Sequence, residues 1–201
     1  MQETEIYKGK REKQKQHLRE LLLSEALILF SEKGLEKTTV ADIVEKTGIA
    51  RGTFYNYFPD MNTLFNALII QLNQKVKEAI QLTRKESKNV YDYLYGIFKS
   101  YFDLIGTKEM IQFHVINQAQ IRQSSYQSEI VKTIVKNLNR DLKSTLKINA
   151  FHEKHEFLLL SFMLVGAPPE LFLATHTSKI NFSSEQLATF LAKLFHKILM
   201  E

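Results

Sequence analysis

The chain has 201 residues, 44% hydrophobic, 11% aromatic and 24% charged, with no cysteine and no tryptophan. Apolar content of this size excludes wholesale disorder and suits one ordinary domain, or a small domain fused to a larger one. The missing cysteines exclude disulfides, thiol nucleophiles and cysteine-bound zinc or iron–sulfur sites, and three prolines with seven glycines are too few breaks for a many-stranded sandwich or barrel.

The N-terminal stretch carries the most uneven charge. Net charge is +5, from 27 basic and 22 acidic residues. Residues 7–19 hold Lys8, Lys10, Arg11, Lys13, Lys15 and Arg19 against the single acid Glu12, and the stretch that follows to Asp60 is acidic on balance. A basic arm beside a nearly neutral module points to an anionic partner met locally, not to a protein that coats nucleic acid throughout. Residues 1–10 lack the apolar stretch of a signal peptide.

Residues 18–33 read as an amphipathic helix, with Leu18, Leu22, Ala26, Leu29 and Phe30 on one face and Gly34 as the stop. Thr39-Val-Ala-Asp42 is a capping-box variant that opens a short helix ending at Thr47-Gly48. A third helix runs from near Ala50 to Phe58, where Pro59 forbids continuation, and Asp60 caps a fourth reaching towards Lys85. Helical patterns continue over residues 90–105, 108–120 and from Ser124 to about Asn149, then over 153–175 with an interruption at Gly166-Ala-Pro-Pro169, and finally over 184–200. The expected fold is all-α, with about nine helices: an N-terminal three-helix head over residues 1–60 and a larger helical bundle over 61–201. The longest nearly apolar run, 157–167, contains Ser161 and Gly166 and falls short of a membrane span. A cytoplasmic protein with no membrane partner is expected.

The specific stretch is 38–58. Two short helices joined by Thr47-Gly48-Ile49 fit a helix-turn-helix, whose second helix can enter a DNA major groove about 12 Å wide. Phe54 and Phe58, four apart, predict an inward face with Ile49. Arg51, Thr53, Tyr55 and Tyr57 are left outward, with Gly52 permitting close backbone approach.

Here the sequence resembles the TetR family of transcriptional regulators, from about Leu18 to Leu68: a helix ending LFSEKG, then TTVADIVEKTGIARGTFYNYFPDMNTLF. The resemblance implies a homodimeric repressor that binds palindromic operator DNA through paired heads and is released by a small-molecule effector. It also implies DNA contacts at Thr39, Arg51, Gly52, Thr53, Tyr55 and Tyr57. Lys13 and Lys15 in the basic arm join them as expected contacts. Where family members often carry a phosphate-binding lysine at the start of the fourth helix, this chain has Met61.

One head neutralises few phosphates, and non-specific affinity is weak, about 10⁻⁴–10⁻⁶ M; two linked heads make the second contact intramolecular. The dimer face is expected on the last two long helices, at Phe162, Leu187, Phe190, Leu191, Leu194 and Phe195. The aromatic group Tyr95, Phe98, Tyr101, Phe102, Phe113 and His114, with Asn117 and Gln118, has the mainly apolar composition of a ligand pocket, and its scarcity of charge suggests a neutral or weakly polar effector. His152 and His155, three apart, miss the zinc-protease spacing of four; no metal or cofactor is expected. No nucleophile triad, phosphate loop or carboxylate pair argues for an enzyme. The alternative from another class is a helical coactivator that grips a protein, which would not need the outward Arg51, Tyr55 and Tyr57.

Overall fold

The computed structural model describes residues 2–142 and 154–200, with side chains for 11–142 and 155–200. Among the described residues the elements are α1 (Gln2–Lys33), α2 (Val40–Thr47), α3 (Arg51–Tyr55), α4 (Met61–Glu86), α5 (Val90–Ile105), α6 (Lys108–Ile116), α7 (Gln118–Gln127), α8 (Glu129–Arg140), α9 (Lys154–Thr177) and α10 (Ser184–Met200), with no strand. The count is ten and not nine because residues 108–140 break at Asn117 and Ser128. The expected continuation to Asn149, and His152 of the histidine pair, lie outside the described residues.

Helix α1 starts well before the predicted Leu18. Its first half is rich in Lys, Arg, Glu and Gln, all good helix formers, and the basic arm is a continuous helical shaft. From Leu22 onward it becomes amphipathic and buries Leu22, Leu23, Ala26, Leu29 and Phe30 against Ile43, Phe54, Phe58, Leu64 and Phe65.

Helix α2 opens with both halves of the predicted capping box. The Thr39 hydroxyl accepts the Asp42 N–H at 3.3 Å, and the Asp42 carboxylate accepts the Thr39 N–H at 2.7 Å. Gly48 ends the helix at φ 68, the left-handed region that favours glycine. Asp60 caps α4 by accepting the Thr63 N–H at 2.7 Å.

Beyond the head, α5 lies along α10, with the Phe98 and Phe195 rings 5.7 Å apart, α6 packs on α1, and α8 packs on α4 and α9. A buried Asp141 ties α4, α5 and the end of α8: it accepts the Tyr93 hydroxyl at 3.1 Å and pairs with Arg84 at 3.2 Å. Burial, with the Asp141 charge adding to it, pushes the Tyr93 phenol far above its ordinary value.

The expected interruption in α9 does not occur: Pro168 and Pro169 lie within one continuous helix. Each proline lacks the N–H that would reach the carbonyl four residues back, which removes the bonds to Leu164 and Val165. All four residues line an internal cavity. Once the missing first turn and the proline pair join the apolar run, the stretch His155–Thr177 is long and apolar enough to cross a membrane by length and composition, with a third of it buried in the fold.

Candidate nucleic-acid interface and internal cavity

Phe54 and Phe58 anchor α3 in the head core, at 0% and 2% exposure. That pairing turns Arg51, Gly52 and Tyr55 to solvent. Tyr55 is 45% exposed, with its ring edge-on to Phe54 at 5.4 Å. The Arg51 guanidinium lies 5.9 Å over the Tyr55 ring, with Nη2 3.5 Å from its hydroxyl. A Cβ added to Gly52 would meet no atom within 4 Å, so open space for an approaching surface lies there. Thr53 and Tyr57 are half-buried, and Tyr57 packs partly on the head core. The outward face is therefore narrower than the sequence suggests.

Thr39 is exposed, but its cap bonds already engage its polar groups. Its hydroxyl also donates to the Asp42 carboxylate at 2.7 Å, and Lys33 pairs with the same carboxylate at 2.8 Å. The Lys33 and Thr39 hydrogen bonds hold the Asp42 carboxyl down at about 2. A phosphate arriving at Thr39 meets that charged carboxylate.

Lys13 and Lys15 are both exposed, yet residues two apart on a helix face different ways. Arg11, Lys15 and Arg19, spaced by four, form one stripe instead, and it ends where the Arg19 guanidinium lies 5.5 Å over the Phe58 ring. Arg19 is absent from the contacts expected of the sequence, although its i, i+4 alignment with Lys15 is a signal that marks it. Met61, at the position of the family lysine, is half-buried against the core.

The body holds a partly open, mainly apolar cavity of about 150 Å³ between α4, α5, α6, α7, α8 and α9. Phe98, Tyr101, His114 and Gln118 line it. Tyr95, Phe102, Phe113 and Asn117 do not, which corrects half of the expected set. Tyr95 stacks on Tyr91 at 6.3 Å, Phe102 and Phe113 fill the core at 1% and 0% exposure, and the Asn117 side chain reaches Phe30 and Leu35 beside the head. Much of the wall lies outside that set, including Leu72, Asn73 and Val76 from α4 and Ile134 and Leu138 from α8.

The cavity's polar groups carry little charge. His114 Nδ1 bonds the Met110 carbonyl at 2.8 Å, and burial lowers its pKa, favouring the neutral ring. Neutral and donating through Nδ1, it leaves Nε2 as an acceptor. Burial likewise raises the Tyr101 phenol. The Asn73 Nδ2 is buried with no acceptor among the described residues. Arg122, the one arginine of the wall, pairs with Glu170, also of the wall.

The expected dimer residues divide. Leu187, Leu191 and Phe195 are buried in the subunit's own core, at 5%, 3% and 1% exposure, because that face of α10 packs on α5. Phe162, Phe190 and Leu194 are exposed, together with Leu159, Met163 and Ile198, which the apolar pattern alone does not single out.

With this geometry the comparisons with known proteins agree. Residues 22–68 match the family model for bacterial regulatory proteins of the tetR family. That similarity to the TetR family covers about a quarter of the chain, the stretch that holds α2, α3 and the start of α4. An HTH-type transcriptional regulator of Bacillus subtilis, YvdT, is 49% identical over 49 residues, 24% of this chain and 25% of its own length. The chain thus spans only about a quarter of that relative. The negative regulator of the biofilm operon icaADBC in Staphylococcus aureus, IcaR, is 24% identical over 84% of this chain and 94% of its own. In fold, the transcriptional regulator FadR of Bacillus subtilis, solved in complex with stearoyl-CoA, superposes with a TM-score of 0.75 at 18% identity, covering 90% of this chain and 97% of its own.

Proposed function

We propose that this chain is a TetR-like transcriptional regulator, a repressor that binds a palindromic operator as a homodimer and is released by a small-molecule effector. The proposal divides the chain into a DNA-reading head over residues 1–60 and a ligand-binding and dimerisation body over 61–201. The observation that carries it is the solvent-facing Arg51-Gly52-Tyr55 surface on a helix anchored by Phe54 and Phe58. Arginine can donate bidentately to a guanine edge, tyrosine can meet phosphate, and Gly52 lets the backbone approach. Thr39, Thr53 and Tyr57 flank that surface, and the Arg11–Lys15–Arg19 stripe supplies phosphate contacts, with Lys13 on another face of the shaft.

For the dimer, the exposed Phe190, Leu194 and Ile198 follow one another by four on α10, and the touching α9 adds Leu159, Phe162 and Met163. Apolar side chains at that density on adjoining helices support an isologous subunit interface more than a membrane contact for α9. A helical body with a mainly apolar cavity supports an effector with an apolar skeleton and one uncharged polar head. The neutral His114, the protonated Tyr101 and the unpaired Asn73 amide would receive that head. An effector releases the operator only if it prefers the conformer with misplaced heads.

Selection of bound sequences from random duplex DNA tests the reading. It should recover two inverted half-sites whose centres lie about one helical turn apart. Recovery of no motif, or of a lone half-site bound by one chain, contradicts it.

A further inference from the structure

Asn117 stands where α6 ends and α7 begins, at φ −109 and ψ 23, a break between two helices. Its neighbours on both sides in the helical register, His114 and Gln118, line the cavity. Its own side chain turns the other way. Nδ2 donates to the carbonyls of Phe30 and Phe113, each at 2.9 Å, and Oδ1 accepts the Leu35 N–H at 2.8 Å. Both amide protons and the oxygen are thus engaged, at 1% exposure.

The groups it holds lead directly into the helix-turn-helix. Phe30 closes the last turn of α1, and its carbonyl also accepts the Gly34 N–H at 3.1 Å. Gly34 sits at φ 81, and a Cβ there would fall 2.8 Å from the Ile116 side chain, so the head's turn and the α6 terminus meet with no slack. The Thr38 hydroxyl donates to the Gly34 carbonyl at 2.7 Å and its N–H to the Leu35 carbonyl at 3.2 Å. The next residue, Thr39, caps α2. A chain of rings, Phe30–Phe65–Phe113–His114, with centroids 5.3, 5.7 and 5.7 Å apart, runs from the head core to the cavity wall, and Asn117 bonds the carbonyls of both Phe30 and Phe113.

We infer that Asn117 is the positioning residue through which occupancy of the cavity sets the placement of the DNA-reading helices; this rests on the effector-controlled reading above. Displacing the α6–α7 junction either breaks a buried hydrogen bond, which is costly, or carries the 34–38 turn and α2 with it. The second course converts a shift in the cavity wall into a shift of the head. The exposed bond between Gln120 and Glu36, 2.9 Å long, crosses the same interface without touching Phe30 or Leu35, and it serves as the control.

The test uses the full chain, the duplex recovered by selection, and the neutral apolar dye N-phenyl-1-naphthylamine, which fluoresces when it enters an apolar cavity. Operator affinity is measured with and without saturating dye for the wild type, Asn117→Ala, the milder Ile116→Ala, and Gln120→Ala. The wild type and Gln120→Ala should lose operator affinity about tenfold when the dye is bound, within the usual range of coupling between sites. Asn117→Ala should bind dye within about twofold of the wild type yet lose most of that shift, and Ile116→Ala should lose part of it. If Asn117→Ala does not fold, Ile116→Ala against Gln120→Ala decides the matter. Retention of the full shift in the Asn117 and Ile116 variants, or equal loss in Gln120→Ala, overturns the role of this joint alone. A wild type that takes up no dye, or takes it up with no effect on operator affinity, removes the effector reading and the joint with it.

Discussion

The head and the cavity are built from contacts of different range. In the head, Thr39 meets Asp42, Gly48 meets Val44, and Phe54 lies beside Phe58, all within four residues. The cavity wall takes Leu72 from α4, His114 from α6, Ile134 from α8 and Leu173 from α9, about a hundred residues from first to last. A reading surface can therefore be fixed by one turn and two buried rings. The cavity exists only after six helices have packed, so its shape follows from the whole body.

The sharpest way to break this contrast is at the one side chain that serves both regions. Phe65 touches Phe30 in the head core and Phe113 beside the chamber, at 5.3 and 5.7 Å. Phe65→Ala should cost about 3–5 kcal/mol and lower the melting of head and body together; loss of one with the other intact contradicts a shared core. Next in size are the reading residues. Arg51→Ala or Tyr55→Ala should weaken operator binding by about 1–3 kcal/mol in a mobility-shift titration, with melting unchanged.

A smaller effect is expected from the shaft. Removal of residues 2–15 should lower affinity and flatten the log–log salt dependence, by about 0.9 for each phosphate that is no longer neutralised; an identical slope eliminates the stripe. The smallest effect concerns acid. His114 is held below its ordinary 6.5 by burial, so it binds fewer protons folded than unfolded. Stability contributed by the neutral ring is present above about pH 6.5 and declines as pH falls through that window. His114→Gln should melt with a weaker pH dependence between about pH 7 and 5, read by circular dichroism.

The sequence disclosed what local chemistry decides. The capping box at Thr39, the left-handed Gly48, the inward Phe54 and Phe58 and the Asp60 cap can all be read from spacing. The body was legible as helices but not as a chamber. Tyr95 and Phe102 share an aromatic helix with Phe98, and only the packing of α10 and α4 decides which ring meets the cavity. Asn117 resembled a pocket amide because its neighbours are pocket residues, and its partners Phe30 and Leu35 lie more than eighty positions away. On α10, Leu187, Leu191 and Phe195 are no less apolar than Phe190 and Leu194. Composition cannot distinguish a face that meets α5 from one left exposed.

The most direct measurement is dimethyl sulfate footprinting of the selected duplex, which reports guanine N7 in the major groove and adenine N3 in the minor groove. With the wild type, guanines in both half-sites should be protected at N7, and Arg51→Ala should lose protection at one guanine per half-site. Unprotected guanine N7 with protection confined to adenine N3 would place the protein in the minor groove and contradict entry of α3 into the major groove.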